Sequence, residues 1–277
     1  MSSPTKPRTP RLYHASGAAP AFDAGRALAI TVGAMLVYYT VAIVTPPVAA
    51  IAVAQVAAAG LVLVVARDPK LVGLMRPKAV HVVGAALIGI SMWYVNLRLV
   101  GWVGDLLHAI GRDFPESDTK RLDVFVQTPP LALALVEIAV LPAICEEIVF
   151  RGALARGLGS RLPWFAAAPI SAVLFSAYHM SLVQAVPTLM LGTVLAIVAL
   201  RANSTLPAML AHALNNTAAI VLSRPDFDYV GNWFDRYPNL SVEIAAAITA
   251  VGIVLVVRPQ GPASLDRAAT RSVAEGR

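Results

Sequence analysis

The sequence predicts an all-α membrane protein, a polytopic bundle of about eight transmembrane helices. Of its 277 residues, 57% are hydrophobic and only 14% are charged, whereas a soluble domain usually carries about 25% charged residues. The mean hydropathy is +0.69. Apolar runs long enough to cross a bilayer recur between short charged segments. These observations indicate a membrane protein before any motif is considered.

The charge balance and the cysteine content exclude two classes of protein. The net charge of +6 is concentrated near predicted helix ends, as the positive-inside rule describes. No basic patch is interleaved with aromatic residues, so nucleic acid is not expected as a partner. The single cysteine, Cys145, excludes an intrachain disulfide framework.

The hydrophobic pattern divides the chain into a helical domain with a polar tail at each end. Residues 1–25 are predicted to be a disordered basic N-terminal tail, residues 26–257 a transmembrane helical domain, and residues 258–277 a polar C-terminal tail. The fourth predicted span begins near Pro130. The other spans are predicted at 27–44, 48–66, 80–103, 163–183, 187–200, 206–222 and 244–257.

Lysine and arginine alone predict the orientation in the membrane. They are dense in the N-terminal tail, in loops 67–78 and 151–161, and in the C-terminal tail. They are sparser in loops 104–128 and 223–243. Since cytoplasmic loops carry the excess of basic residues, both termini are predicted to be cytoplasmic. We expect an integral, multi-pass protein of a bacterial-type cell membrane.

Two adjacent carboxylates, Glu146 and Glu147, lie in the fourth apolar span. A charge near the bilayer centre costs roughly 2.5–3.5 kcal/mol on insertion scales. Glu147 and Arg151 are four residues apart and face each other on a helix, which predicts an ion pair with a supporting role. Glu146 points about 100° away around the axis and is left to face a cavity. Capping of an interfacial position by both carboxylates is the structural alternative.

Two histidines lie in later apolar spans. His179 shares a helix face with Phe175, and His212 shares one with Asn216. An imidazole and an amide on one face can donate two hydrogen bonds to a developing oxyanion. Hydrogen bonding between neighbouring membrane helices is the structural alternative for each of these side chains.

The motifs of several other hydrolases do not occur in the chain. His-Glu-x-x-His, typical of a zincin, and Gly-x-Ser-x-Gly, typical of a serine nucleophile, are both missing. No pair of membrane aspartates suggests an aspartyl protease. The remaining groups are a carboxylate to activate water, a histidine to assist it, and an amide with a second imidazole for the oxyanion. They suit direct hydrolysis of an amide without a covalent intermediate.

Three motifs in order, Glu-Glu-x-x-x-Arg, Phe-x-x-x-His and His-x-x-x-Asn, resemble a known family. They are similar to the CAAX-protease and bacteriocin-processing family of intramembrane glutamate proteases, also called the Abi family. The resemblance covers about residues 130–222, the predicted catalytic core. Phe150, Arg151 and Gly152 also match the usual continuation of the first motif.

The resemblance implies a role for each motif residue. Glu146 would activate the attacking water, His179 would hold that water, and His212 with Asn216 would stabilise the oxyanion. Glu147 and Arg151 would be supporting structure. No cofactor is expected, and zinc bound by Glu146, His179 and His212 is the alternative.

The resemblance also implies partners, which are the lipid bilayer and a peptide or a prenylated or lipidated protein substrate. It predicts no oligomeric state. Two other functions stay open at this point: a non-catalytic immunity or scaffold protein of the same fold, and a transporter or proton relay, since intramembrane Glu and His also mark those.

The predicted spans raise a question of depth. They place Glu146 and His212 nearer the cytoplasmic face and His179 nearer the far face. The three can then meet only if the fifth helix tilts or its first turns lie outside the hydrocarbon. Because a general base must be ionised, we also predict a water-filled cavity at Glu146, open toward the cytoplasm or laterally to lipid.

Overall fold

The computed structural model describes residues 22–45, 50–120 and 129–258. Of these described residues, 85% are helical and none lies in a strand. The longer helices are α1 Ala24–Val44, α2 Ala50–Ala66, α3 Ala79–Ala109, α4 at 131–159, α5 Trp164–Tyr178, α6 Leu182–Ala202, α7 Leu206–Leu222, α8 Asp228–Arg236 and α9 Pro238–Val257. The predicted helical membrane bundle is therefore confirmed.

Four of the described helices are long and apolar enough to cross a membrane: α1, α3, α6 and α9. Helices α2, α5 and α7 are apolar but shorter. Large apolar side chains stay exposed on the outer faces, including Leu36, Ile43 and Val64, as a lipid-facing surface requires. The count of eight spans stays a prediction.

Helix α4 is continuous but not uniformly α-helical. α-Helical segments Leu131–Ala134, Leu141–Glu147 and Arg156–Gly159 alternate with π-helical segments Leu135–Val140 and Ile148–Ala155. π-Helical turns are rare in proteins, and those that occur often lie at functional sites. The Glu pair closes the central α-helical segment, directly before the second π-helical one.

Helix α4 lies between two groups of helices. On one side it contacts α1 and α2, and on the other it contacts α5, α6 and α7. Helix α3 packs along α7 and α9, where a Cβ added at Gly84 would lie 2.8 Å from the Gly252 carbonyl oxygen. Such small residues let membrane helices approach closely. In the same interface, the hydroxyls of Ser91 and Thr249 are 2.7 Å apart.

Several predicted helix ends differ from the structure. Helix α3 continues to Ala109, so the polar loop does not begin at Gly104. Helix α6 begins at Leu182 rather than at Pro187, because the Ser181 hydroxyl accepts the Gln184 N–H as an N-cap. Helix α9 begins at Pro238 rather than at Ile244.

The two predicted tails lie mostly outside the described residues, namely 1–21 and 259–277. Where the structure begins, Asp23 caps α1, since its Oδ1 accepts the backbone N–H of Arg26 at 2.9 Å. This hydrogen bond holds the pKa of the Asp23 carboxyl below its usual value. The helix therefore begins at Ala24, slightly before the predicted boundary at residue 26.

Candidate active site

The length of α4 answers the question of depth that the predicted spans raised. The helix continues 13 residues beyond Glu146, from 146 to 159, and the chain then turns back into α5, which is 15 residues long. Tyr178, the last residue of α5, lines the same cavity as Glu146. The end of α5, with His179 directly after it, therefore returns to the level of Glu146. The predicted fifth span at 163–183 was too long, and its far end was misplaced for that reason.

The two carboxylates of the Glu pair point to different sides of α4, as their spacing on a helix predicts. Glu147 faces α7, and Glu146 faces α1 and α2. Both are buried: Glu147 is 0% exposed and Glu146 is 7% exposed. Neither carboxylate caps an interfacial position, and Glu146 faces neither lipid nor bulk water.

Glu147 is the centre of a buried charge cluster. Its Oε1 atom lies 2.9 Å from Arg151 Nη1 and 2.9 Å from His212 Nδ1. The Arg151 contact is an ion pair without an aligned hydrogen bond, because this Nη1 satisfies no hydrogen-bond geometry. Arg151 Nη2 donates to the Gly192 carbonyl at 3.2 Å. The cluster thus ties α4 to α6 and α7.

Phe175 connects this cluster with the second histidine. The Arg151 guanidinium carbon lies 4.2 Å from the centre of the Phe175 ring, a cation–π contact. The same ring makes edge contacts with His179 and His212, at centroid distances of 4.9 and 6.1 Å. The first residue of the Phe-x-x-x-His motif therefore contacts both imidazoles.

In both histidines Nδ1 is hydrogen-bonded within the protein, so Nε2 is the ring nitrogen that could contact water or a substrate. His179 Nδ1 lies 2.9 Å from the Phe175 carbonyl oxygen. A carbonyl only accepts, so Nδ1 carries the hydrogen and the lone pair of a neutral ring is at Nε2. His212 Nδ1 donates in the same way to Glu147. Only an imidazolium form of His212 could then donate a further hydrogen bond from Nε2.

Asn216 lies on the His212 face of α7, as predicted, but its side-chain amide already makes hydrogen bonds within the protein. Its Nδ2 atom donates to the Ile138 carbonyl at 2.9 Å, in the first π-helical segment of α4. Asn215 Nδ2 donates to Asn216 Oδ1 at 3.1 Å and so fixes the amide orientation. One N–H of the Asn216 side chain is left for another acceptor.

Glu146 faces a cavity of about 10 Å³, close to the roughly 10–15 Å³ that one water molecule needs. Its Oε1 atom accepts a hydrogen bond from Gln55 Nε2 at 3.4 Å, and its Oε2 atom is buried without a hydrogen-bond partner. Tyr178 and Ala34 also line the cavity. A small cavity therefore lies beside Glu146, as predicted, and its filling by water and its opening to the cytoplasm or to lipid stay predictions.

The structure does not gather the motif residues around one point as predicted. His212 contacts Glu147 rather than Glu146, and the residue of α5 that lines the Glu146 cavity is Tyr178, next to His179. The reason is the rotation of about 100° between neighbouring helix positions. It directs Glu147 towards α7, while Glu146 faces α1 and α2.

The zinc alternative lacks a matching donor set. Within the described ranges 22–45, 50–120 and 129–258, no three His, Cys, Asp or Glu side chains form a group that could hold a metal ion. Glu146, His179 and His212 are therefore not arranged as ligands of one ion. The Nδ1 atoms of both histidines are already hydrogen-bonded within the protein.

Gln55 and Tyr178 line the cavity but were missed in the sequence. Gln55 is the one polar side chain in the run Ala50–Ala66, and a buried amide in a membrane helix is itself a functional signal. Tyr178 lies within the second motif, at a position that the motif leaves unspecified. The backbone carbonyl of Tyr178 accepts a hydrogen bond from the Tyr39 hydroxyl, which ties α1 to the end of α5.

The comparison with protein families agrees with the motif order. Residues 128–218 match the family model described as type II CAAX prenyl endopeptidase Rce1-like. This region is therefore similar to the endopeptidase family that the motifs indicate. All three motifs lie within the matched residues, whereas Gln55 lies outside them. Searches of curated proteins and of solved structures found no match.

The Rce1-like match and the apolar helices together indicate an integral membrane protein with a region similar to CAAX prenyl endopeptidases.

Proposed function

We propose that this protein is an intramembrane endopeptidase that hydrolyses a peptide bond with water activated by Glu146. The observation that carries the proposal is the position of the Glu146 carboxylate. It is buried, it lies in the Rce1-like region, its Oε2 atom has no hydrogen-bond partner, and the residue lines a small cavity of about 10 Å³.

In this mechanism Glu146 acts first as a general base and then as a general acid. Oε2 takes one proton from the water, whose oxygen attacks the carbonyl carbon of the scissile bond. The electron pair of the C=O double bond moves to the carbonyl oxygen. When the tetrahedral intermediate collapses, the C–N bond breaks and Glu146 gives its proton to the leaving nitrogen. Protons balance, and no covalent enzyme intermediate forms.

The remaining motif residues have supporting tasks in this proposal. His179 Nε2, which holds the lone pair, accepts a hydrogen bond from the water or from the substrate. His212 and the second N–H of Asn216 stabilise the oxyanion. His212 Nε2 can donate to it only in the imidazolium form, because Nδ1 already donates to Glu147. The reaction uses no cofactor.

The substrate proposal follows the description of the matched family. The proposed partners are the lipid bilayer and the substrate. A prenylated or lipidated protein tail would reach the buried site from the bilayer. A peptide without a lipid is the alternative substrate. The distribution of Lys and Arg supports a bacterial-type cell membrane with both termini cytoplasmic.

A non-catalytic scaffold or immunity protein is the second candidate. It is favoured by one observation: His212 and Asn216 both make hydrogen bonds between helices, to Glu147 and to the Ile138 carbonyl. These bonds would hold the bundle together without any chemistry.

Cleavage assays on the purified full-length chain separate the two candidates. Wild type and Glu146→Gln are offered a quenched peptide library that includes a farnesylated C-terminal tetrapeptide. We expect wild type to cleave at least one peptide and Glu146→Gln to lose 10²-fold or more of the rate, roughly the contribution of a general base. Thr31→Val is the control, since Thr31 is also buried but does not line the cavity. Cleavage by Glu146→Gln at the wild-type rate would overturn the proposal, and so would a wild type that cleaves no peptide.

A further inference from the structure

The turn that carries His179 is short. Only His179, Met180 and Ser181 connect α5, which ends at Tyr178, with α6, which begins at Leu182. Met180 has a left-handed backbone conformation, with a φ angle of 46°, which is uncommon for a residue other than glycine. The position of His179 therefore depends on where the two flanking helix ends are held.

The α6 side of the turn is held by Asp118. Its Oδ2 atom accepts a hydrogen bond from the Leu182 backbone N–H at 2.9 Å and another from the Ser181 hydroxyl at 3.1 Å. Leu182 is the first residue of α6 and Ser181 is its N-cap. A carboxylate suits this position, because the first N–H groups of a helix have no partner within it and carry partial positive charge.

The α5 side of the turn is held from another part of the chain. The Tyr39 hydroxyl of α1 donates to the Tyr178 carbonyl, directly before His179. Asp118 belongs to the helical residues 116–120, in the connection between α3 and α4. The two anchors thus reach the turn within three residues of His179, one on each side of it.

We propose that Asp118 is a positioning residue for His179. The inference rests on the proposed hydrolysis, in which His179 Nε2 contacts the water or the substrate, and Asp118 lies outside the matched residues 128–218. Asp118 acts through Ser181 and Leu182, not on the substrate. By fixing the start of α6 it keeps the turn in one place, and with it the imidazole whose Nδ1 atom lies 2.9 Å from the Phe175 carbonyl oxygen. A small misplacement of a catalytic group is enough to lower a rate.

The geometry provides a matched pair of variants, because one oxygen of Asp118 accepts both hydrogen bonds. The side-chain oxygen of asparagine can accept two hydrogen bonds at the same place, whereas alanine has no acceptor. Asp118→Asn should therefore keep the position of His179, and Asp118→Ala should lose it. Glu116→Ala is the control, since Glu116 lies in the same helical residues, is exposed and pairs with Lys120 at 2.6 Å.

Peptide cleavage by the purified full-length chain is the first readout. We expect kcat of Asp118→Ala to fall about 10-fold, less than the roughly 10²-fold that a misplacement of about 1 Å can cost. KM should stay within about threefold, because no substrate contact is removed. Asp118→Asn and Glu116→Ala should keep the wild-type kcat. In a His179→Ala background, Asp118→Ala should cause no further loss, since two residues that act through one group are not additive.

Three kinetic results would overturn the inference. One is a raised KM with the wild-type kcat in Asp118→Ala, which would indicate a contact with the substrate. Another is an equal loss of kcat in Asp118→Asn, which would show that the two hydrogen bonds are not the cause. The third is the same loss in the His179→Ala background as in the wild type, which would show that Asp118 does not act through His179.

The second readout does not depend on cleavage. It is the NMR signal of the His179 ring in isotope-labelled protein, assigned by its loss in His179→Gln. We expect this signal to shift or broaden in Asp118→Ala and to coincide with wild type in Asp118→Asn and Glu116→Ala. An unchanged signal in Asp118→Ala would overturn the inference and leave the peptidase standing. A wild type that cleaves no peptide would overturn the proposed function, whereas a displaced signal would still show that Asp118 holds His179 in place.

Discussion

His212 Nδ1 lies 2.9 Å from Glu147 Oε1, so the histidine of the third motif contacts the second glutamate of the first motif rather than the first. The same oxygen lies 2.9 Å from Arg151 Nη1. Two adjacent carboxylates therefore serve separate purposes. Glu147 is the counter-charge of the buried Arg151 and joins α4 to α7, whereas Glu146 Oε2 has no hydrogen-bond partner.

The first prediction compares stability changes at the two neighbouring glutamates. Glu147→Gln leaves the fully buried Arg151 without a counter-charge, and breaking a buried pair costs about 3–5 kcal/mol. We expect its unfolding midpoint in detergent to fall by several degrees. Glu146→Gln should unfold close to wild type, because it removes no ion pair. Equal midpoints for the two variants would contradict the structural assignment of Glu147.

The second prediction concerns the amide of Asn216. Asn216→Ala should cost on the order of 10²-fold or more in kcat if the side chain stabilises the oxyanion. The loss of its bond to the Ile138 carbonyl should change stability little, since interhelical bonds in membranes average about 0.6 kcal/mol. The measurement is kcat together with the unfolding midpoint.

Thr249→Val is a matched control for Asn216→Ala. It removes another hydrogen bond between helices, the one between the hydroxyls of Thr249 and Ser91 at 2.7 Å, away from the site. We expect the control to keep the wild-type kcat. A folded Asn216→Ala protein with a rate within a few-fold of wild type would show that this amide is only structural.

The third prediction uses the close approach of α6 to α5. A Cβ added at Gly192 would lie 2.9 Å from Phe175 Cδ1 and 3.2 Å from Ala172 Cβ. Gly192→Ala should therefore displace the Phe175 ring and the carbonyl that Arg151 contacts, lowering both stability and kcat. Circular dichroism melts and peptide cleavage measure the two effects.

Gly60→Ala provides the comparison for Gly192→Ala. Gly60 also lies within a helix, but a Cβ there would meet nothing within 4 Å. Because alanine is favoured over glycine by about 1 kcal/mol in a helix interior, this variant should be as stable as wild type or more so. A melt of Gly192→Ala that matches that of Gly60→Ala would show that the contact at Gly192 is easily relaxed.

The fourth prediction concerns metal removal. Cleavage should persist after dialysis against a chelator, because Glu146, His179 and His212 do not form a ligand group among the described residues. Elemental analysis of the purified protein, alongside the rate, checks this expectation. Loss of activity on dialysis, restored by zinc alone, would favour the metal-dependent alternative.

The sequence by itself determined the class of the protein and much of its site. Long apolar runs with few charges require membrane helices, because buried backbone groups must be satisfied within each segment. The four-residue spacing from Glu147 to Arg151 is enough to bring that pair together on a helix. The order of the three motifs was likewise enough to indicate the endopeptidase family, which the match to residues 128–218 confirms.

Only the tertiary structure decided which groups meet across helices. The spacing of side chains along one helix follows from its geometry, whereas the rotation and depth of one helix against another depend on all of its contacts. For that reason the sequence could not show that α4 continues to Gly159, that His212 contacts Glu147, or that Gln55 faces Glu146 from a helix about ninety residues earlier in the chain.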